Sequence, residues 1–275
     1  INVDFKAEYA QSGPVILMGI SGGDAPNVVP ASAEANLCCP PELAKELIHK
    51  LTAESGNAVT CTPTEQGIRI AAAGVSAHGA FPELGVNAIG LLLTALDRLP
   101  LSEPLASQIH FLAAKIGLES DGTRLGIALS DEPSGKLTFN LGTVQGDAAS
   151  FIIRINYRYP VTKTYEDCAP ILNLAFAESG FTQLKEIHKK CLYLPENSPL
   201  VQTLLRVYAE QTGLPPYPKS IGGGTYAKVI PNIVAFGPIF PGDEVREHKP
   251  DEFIKIDELM QNAHILAEAL YQLAK

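Results

Sequence analysis

The sequence predicts an α+β protein: two halves of similar strand and helix content, followed by a shorter layered α/β segment. Three observations predict it. Short apolar runs, several alternating with polar residues, recur between amphipathic helical stretches up to Leu194. The run P-E-N-S-P from Pro195 to Pro199 discourages regular structure and coincides with a change in composition. Residues 195–275 then read as helix, loop, strand and helix, an order that belongs to a layered α/β domain in a length too short to complete one.

Each element has its own signal. Ile1, Val3 and Phe5 alternate with polar residues, and Val15 to Ile20 is a short apolar run, so two strands open the chain. Gly22 to Pro30, G-G-D-A-P-N-V-V-P, is turn chemistry, and a strand over Ala31 to Leu37 follows. Pro41 to Glu54 reads as a helix with Leu43, Leu47, Ile48 and Leu51 on one face. Two strands flank Thr64 to Gln66, the second running from Gly67 to Val75. Val86 to Leu99 and Leu105 to Ile116 are helical, stopped by Pro100 and Gly117. Leu137 to Leu141 and Ser150 to Tyr157 form a hairpin, Tyr165 to Glu178 a helix, and Phe181 to Leu194 carries a strand. In the last segment come a helix over Leu200 to Gln211, a buried strand I-V-A-F-G-P and a helix from Asp257 to Leu273 with Asp257 as its cap. No internal repeat shows in the residues themselves.

Composition narrows the function classes. The 275 residues are 46% hydrophobic and 19% charged, the balance of a soluble globular chain. A net charge of −9 without any Lys or Arg run argues against nucleic acid and anionic membrane as partners. Five scattered cysteines with no C-x-x-C argue against a disulfide framework or thiolate zinc site, and suit a reducing cytoplasm. No apolar run approaches a membrane span and no signal peptide is visible. The chain opens on Ile1 rather than Met, which reads as an engineered, processed or truncated start.

A few residues carry candidate chemistry. His78 sits between small residues at the end of a strand, in G-V-S-A-H-G-A-F-P-E-L-G-V-N-A, where a short turn can aim one imidazole at a cleft; an incidental surface histidine is the alternative. Arg158 follows an apolar strand and precedes Tyr159-Pro160, and could hold a carboxylate in a bidentate pair or be a strand-end surface arginine. Asn27 is either a ligand contact or ordinary turn chemistry. Gly222, Gly223, Gly224 and Thr225 allow backbone N–H groups to approach an anion, although the spacing matches no nucleotide loop. His248, in a Gly- and Pro-rich loop, is a potential zinc ligand or a solvated histidine.

G-G-D-A-P-N-V-V-P, S-A-H-G-A-F-P-E-L-G-V-N-A, N-Y-R-Y-P-V, G-G-G-T-Y-A-K-V-I-P-N-I-V-A-F-G-P and H-K-P-D-E together resemble, in that order, the dizinc family of aminopeptidases, carboxypeptidases and aminoacylases, and within it the dipeptidase V branch. The resemblance implies a doubled ferredoxin-like lid domain over residues 1–194, then an incomplete α/β zinc-peptidase segment over 195–275. It implies His78 as the lid histidine that stabilises the oxyanion, and Arg158 as the clamp on the substrate carboxylate. Asn27, Gly223, Gly224 and Thr225 become substrate contacts and His248 a metal ligand. It further implies two zinc ions per intact enzyme and a dipeptide substrate. The family's H-x-D motif and Glu-Glu pair are not in this sequence. The chain is therefore expected to be an inactive fragment without the N-terminal metal-binding half, unable to retain the zinc pair and prone to self-association. A deacylase of N-acyl amino acids and a non-catalytic binding or assembly chain are the alternatives.

Overall fold

A computed structural model describes residues 1–221, 226–244 and 251–275. The chain divides into two compact units, Ile1–Lys189 and Lys190–Lys275.

The first unit contains strands β1 (Asn2–Glu8), β2 (Ile16–Gly22), β3 (Ser32–Cys38), β4 (Val59–Thr64), β5 (Gly67–Ala73), β6 (Ser130–Asp131), β7 (Gly135–Lys136), β8 (Thr138–Asp147), β9 (Ser150–Arg158) and β10 (Phe181–Ile187). Helices α1 (Pro41–Ser55), α2 (Ala88–Leu96), α3 (Leu105–Lys115) and α4 (Ala169–Glu178) lie between them in sequence. Eight strands form one antiparallel sheet in the order β10-β1-β9-β8-β2-β3-β5-β4, while β6 and β7 make a separate two-residue ladder.

Alternation along the strands decides which face is covered. Val3, Phe5 and Ala7, Ala33, Ala35 and Leu37, Ile68, Ile70 and Ala72, and Ile153, Ile155 and Tyr157 are buried. Leu47 and Leu51 of α1, Leu92 and Leu96 of α2, Ile109 and Leu112 of α3, and Leu172 and Phe176 of α4 join them in one core. Phe5 stacks on Phe176 with ring centroids 4.0 Å apart, and Phe111 meets Phe176 edge-on at 5.0 Å. The intervening residues face away from the helices and are largely polar, with Asp4 paired to Arg154 at 3.4 Å and Glu34 paired to Arg69.

The sheet is a doubled one. Strands β2-β3-β5-β4 and β8-β9-β1-β10 are two four-stranded, ferredoxin-like halves that meet along β2 and β8. The match extends to register. The β2–β3 ladder shifts between Leu17 and Gly19, and the β8–β9 ladder shifts between Leu141 and Thr143, so Leu17 corresponds to Leu141. Leu37 opposite Ile68 corresponds to Ile155 opposite Val3, and Ala35 opposite Ile70 to Ile153 opposite Phe5. Across the seam Ser21 pairs with Gln145, its own counterpart, so a pseudo-two-fold axis passes between them. β1 opens the chain yet fills the place that β5 fills in the other half. The second half is thus permuted, which explains why no repeat shows when the sequence is read from end to end.

The second unit is built on α5 (Pro199–Thr212) and α6 (Ile256–Ala274). Leu204, Val207, Ile265 and Ala269 form its core, with Val234 and Phe236 packed against it. Two expectations are corrected here. Residues 233–237 are not a strand: among the described residues of this unit no strand lies beside them, so their apolar side chains pack on the helices without a ladder. Helix α6 starts at Ile256 with Lys255 at the cap position, which places Asp257 in the first turn, where its charge meets the positive helix end.

Candidate functional site

Two loops build the site. After β5, Val75 and Val86 exchange both backbone hydrogen bonds at 2.9 Å, closing the base of a loop that holds His78 and a 3-10 turn over Pro82–Leu84. The second loop, between β2 and β3, carries Asn27. Backbone bonds stitch them together: Gly79 N–H donates to the Asn27 carbonyl at 2.7 Å, Val29 N–H donates to the Ala77 carbonyl at 2.8 Å, and Val28 forms a bridge with His78. Glycine is required at two contacts. A Cβ on Gly79 would lie 2.9 Å from the Asn27 carbonyl oxygen, and one on Gly142 of β8 would lie 2.3 Å from that of Pro26.

The imidazole of His78 is exposed but held. Its Nδ1 lies 3.2 Å from the backbone nitrogen of Ala80. A backbone N–H can only donate, so Nδ1 is the acceptor and the ring proton of the neutral imidazole sits on Nε2. Partial burial, followed by the positive charge of Arg158, lowers the pKa of His78. Both effects favour the neutral imidazole, and the Ala80 N–H selects its Nε2-protonated tautomer.

Arg158 closes β9 and is half-buried. Burial pushes its pKa down, and its Nε donates to Asn156 Oδ1 at 3.3 Å. His78 and Asn27 come from one half of the doubled sheet and Arg158 from the other. The fold therefore joins the His78 and Asn27 loops by backbone hydrogen bonds and brings the Arg158 charge close enough to act on the imidazole. Phe81 and Leu84 remain exposed on the His78 loop and add apolar surface beside these polar groups.

Three supporting residues escaped the sequence reading. Asn140 of β8, 2% exposed, donates from Nδ2 to the carbonyls of Pro26 and Val28, both at 2.9 Å. Asn87 donates to the Leu141 carbonyl at 2.9 Å and accepts from Gly90 N–H at 3.1 Å, capping α2. Asn156 supports Arg158. The available signal was an asparagine inside each apolar strand, T-F-N-L and I-I-R-I-N-Y, where a buried amide needs a specific partner. Gly223, Gly224, Thr225 and His248, the other residues singled out by sequence, lie outside the described residues.

Among the described residues no group of three or more His, Cys, Asp or Glu could hold a metal ion, so they do not by themselves fit one.

Residues 66–158, which include both His78 and Arg158, match the peptidase dimerisation domain of the M20 family. This chain is a relative of the M20 dipeptidases. The protein named "Putative dipeptidase YtjP" in Bacillus subtilis is 36% identical over 204 residues, covering 74% of this chain and 43% of that protein. The "Beta-Ala-Xaa dipeptidase" of Lactobacillus delbrueckii subsp. lactis is 29% identical over 284 residues, covering 100% of this chain and 57% of that protein. The chain thus spans about half the length of the curated relatives it matches. The second of these alignments runs over both units of the chain.

Proposed function

We propose that this chain supplies the lid and the C-terminal catalytic segment of a zinc-dependent dipeptidase, with residues 1–194 as the lid and 195–275 as that segment. The observation that carries this reading is the fixed tautomer of His78 with Arg158 in electrostatic reach. Peptide hydrolysis builds negative charge on the carbonyl oxygen, and an oriented Nε2–H is a donor for that oxyanion. A dipeptide also ends in a carboxylate, which the Arg158 guanidinium can hold in a bidentate pair. Asn27 contacts bound substrate from the adjoining loop. Gly223, Gly224 and Thr225 complete the substrate contacts and His248 serves as one metal ligand. A zinc pair would supply the activated water there, and on this reading its remaining ligands and the general base come from outside residues 1–275.

Two further parts of the reading concern partners and place. The dimerisation for which the matched domain is named is met within one chain, because the halves pair through β2 and β8. Leu259, Met260, Leu266 and Leu270 of α6 are exposed and form the surface against which the metal-binding half, or a second copy, packs. Among the described residues no helix is long and apolar enough to cross a membrane; we place the enzyme in the cytoplasm.

The test is to express the full-length protein that carries this chain and assay dipeptides beside N-acyl amino acids, with and without a chelator. Zinc-restored cleavage of dipeptides is expected. Preferential cleavage of N-acyl amino acids would turn the reading into a deacylase, and no turnover of either by zinc-loaded protein would leave a binding chain.

A further inference from the structure

We propose that Asn140 and Asn156, facing each other on one cross-strand rung, are positioning residues, the first for the His78 loop and the second for Arg158. The inference rests on the reading of those two side chains as oxyanion donor and carboxylate clamp, and it deepens that reading by assigning what holds them.

The two asparagines lie directly opposite one another on β8 and β9, so their side chains share one face of the sheet, the face turned away from the helices. They are 2% and 6% exposed. An amide buried to this degree is stable only when its hydrogen bonds are made, and each makes them to a different arm of the site. Both Nδ2 hydrogens of Asn140 go to the Pro26 and Val28 carbonyls, on either side of Asn27, and Val28 is the bridge partner of His78. Asn140 Oδ1 in turn lies 3.4 Å from Asn87 Nδ2, which links this loop to the capped end of α2. Asn156 donates to Asn2 Oδ1 at 2.8 Å and to the Ile1 carbonyl at 3.2 Å, and accepts from Arg158 Nε. One cross-strand rung therefore anchors both the imidazole loop and the guanidinium.

The doubling of the sheet supplies an internal control. The counterparts of Asn140 and Asn156 in the other half are Ile16 and Cys38, which face each other in the corresponding register. An apolar pair completes the ladder there without any amide. Building the sheet does not require asparagine at this rung; holding two loops at a set distance above it does.

The test uses this chain, labelled with nitrogen-15, and reads the ring nitrogens of His78 and the Nε–H of Arg158 by NMR. His78→Gln and Arg158→Lys samples assign the signals. The parent chain is expected to show His78 as a single Nε2–H tautomer. Asn140→Ile, which installs the residue found in the twin rung, and Asn140→Asp, which keeps the size but loses both donors, are expected to give mixed tautomers. Ile16→Ala perturbs the twin rung and should leave His78 unchanged. Asn156→Ala should shift or broaden the Arg158 Nε–H signal and leave the His78 tautomer in place. A folded Asn140→Ile or Asn140→Asp chain with the parent His78 signature would overturn the proposal, as would an equal change from Ile16→Ala. If Asn140→Ile fails to fold, Asn140→Asp and Asn156→Ala decide. In the full-length protein Asn140→Asp should lower kcat at least tenfold with little change in KM, and Asn156→Ala should raise KM. Should that protein cleave no dipeptide, the functional reading falls while the NMR result still decides the positioning claim.

Discussion

Ala80 N–H donates to Nδ1 of His78 across 3.2 Å, so the imidazole offers its Nε2–H outward. Replacing His78 by Ala in the full-length protein removes the donor proposed to act on the developing oxyanion. A loss of about 10²–10³ in kcat is expected, with KM close to unchanged. Steady-state kinetics on a dipeptide check it; a loss confined to KM would assign His78 to ground-state binding.

Arg158 is expected to act on the other end of the substrate. Arg158→Lys keeps the charge but loses the planar fork, and should raise KM by at least tenfold, a cost of about 1.4 kcal/mol or more. The parent enzyme should also discriminate against dipeptide amides, and this discrimination should shrink in the variant. Comparing each dipeptide with its amide reads both effects.

The pH dependence of stability follows from the lowered pKa of His78. The folded chain holds the imidazole neutral, whereas the unfolded chain takes up a proton at the ordinary histidine value. The contribution of His78 is complete above that value and is lost as pH falls through it toward the folded pKa. Thermal unfolding of the parent and His78→Gln chains at a series of pH values should show the parent losing more stability on mild acidification. Parallel curves would contradict the assignment.

Gly79→Ala places a methyl group 2.9 Å from the Asn27 carbonyl oxygen and must push the two loops apart. A cost of about 1–3 kcal/mol in urea unfolding is expected, together with a His78 environment altered in NMR. Phe176→Ala, far from these loops, should cost about 3–5 kcal/mol because it empties the stack on Phe5 while leaving the imidazole signals in place.

Metal retention separates this chain from the enzyme it is read to belong to. After zinc loading and desalting, elemental mass spectrometry should find little zinc on residues 1–275, since one histidine does not make a catalytic zinc site. Two ions per chain would mean that unrecognised ligands exist.

Local chemistry made most of the elements legible. Alternation in Ile1 to Phe5, Pro at the first turn of α1 and Gly after α3 each act within a few residues of where they sit. His78, Arg158 and Asn27 were singled out through motif order; the fold joins the loops of His78 and Asn27 and sets the Arg158 charge within reach of the imidazole. The doubling was legible as two halves of similar content and through the family resemblance; the permutation was not, because β1 completes a half whose other strands come last. Nor were Asn140 and Asn156: an asparagine in a strand has no local explanation, and its partners, at Pro26, Val28 and Ile1, are set by tertiary pairing. Val234 and Phe236 show the reverse error. An apolar run looks like a strand, but a ladder needs a neighbour that the run itself cannot specify.

The position of β1 between β9 and β10 bears on how the chain acquires its structure. β2 to β5 are near neighbours in sequence and can assemble early, as a unit of low contact order. The other half cannot close until Val3 meets Ile155 and Ala7 meets Phe181, after the chain has been made through β10. β1 is therefore made before either of the strands it lies between and pairs only once they have followed it.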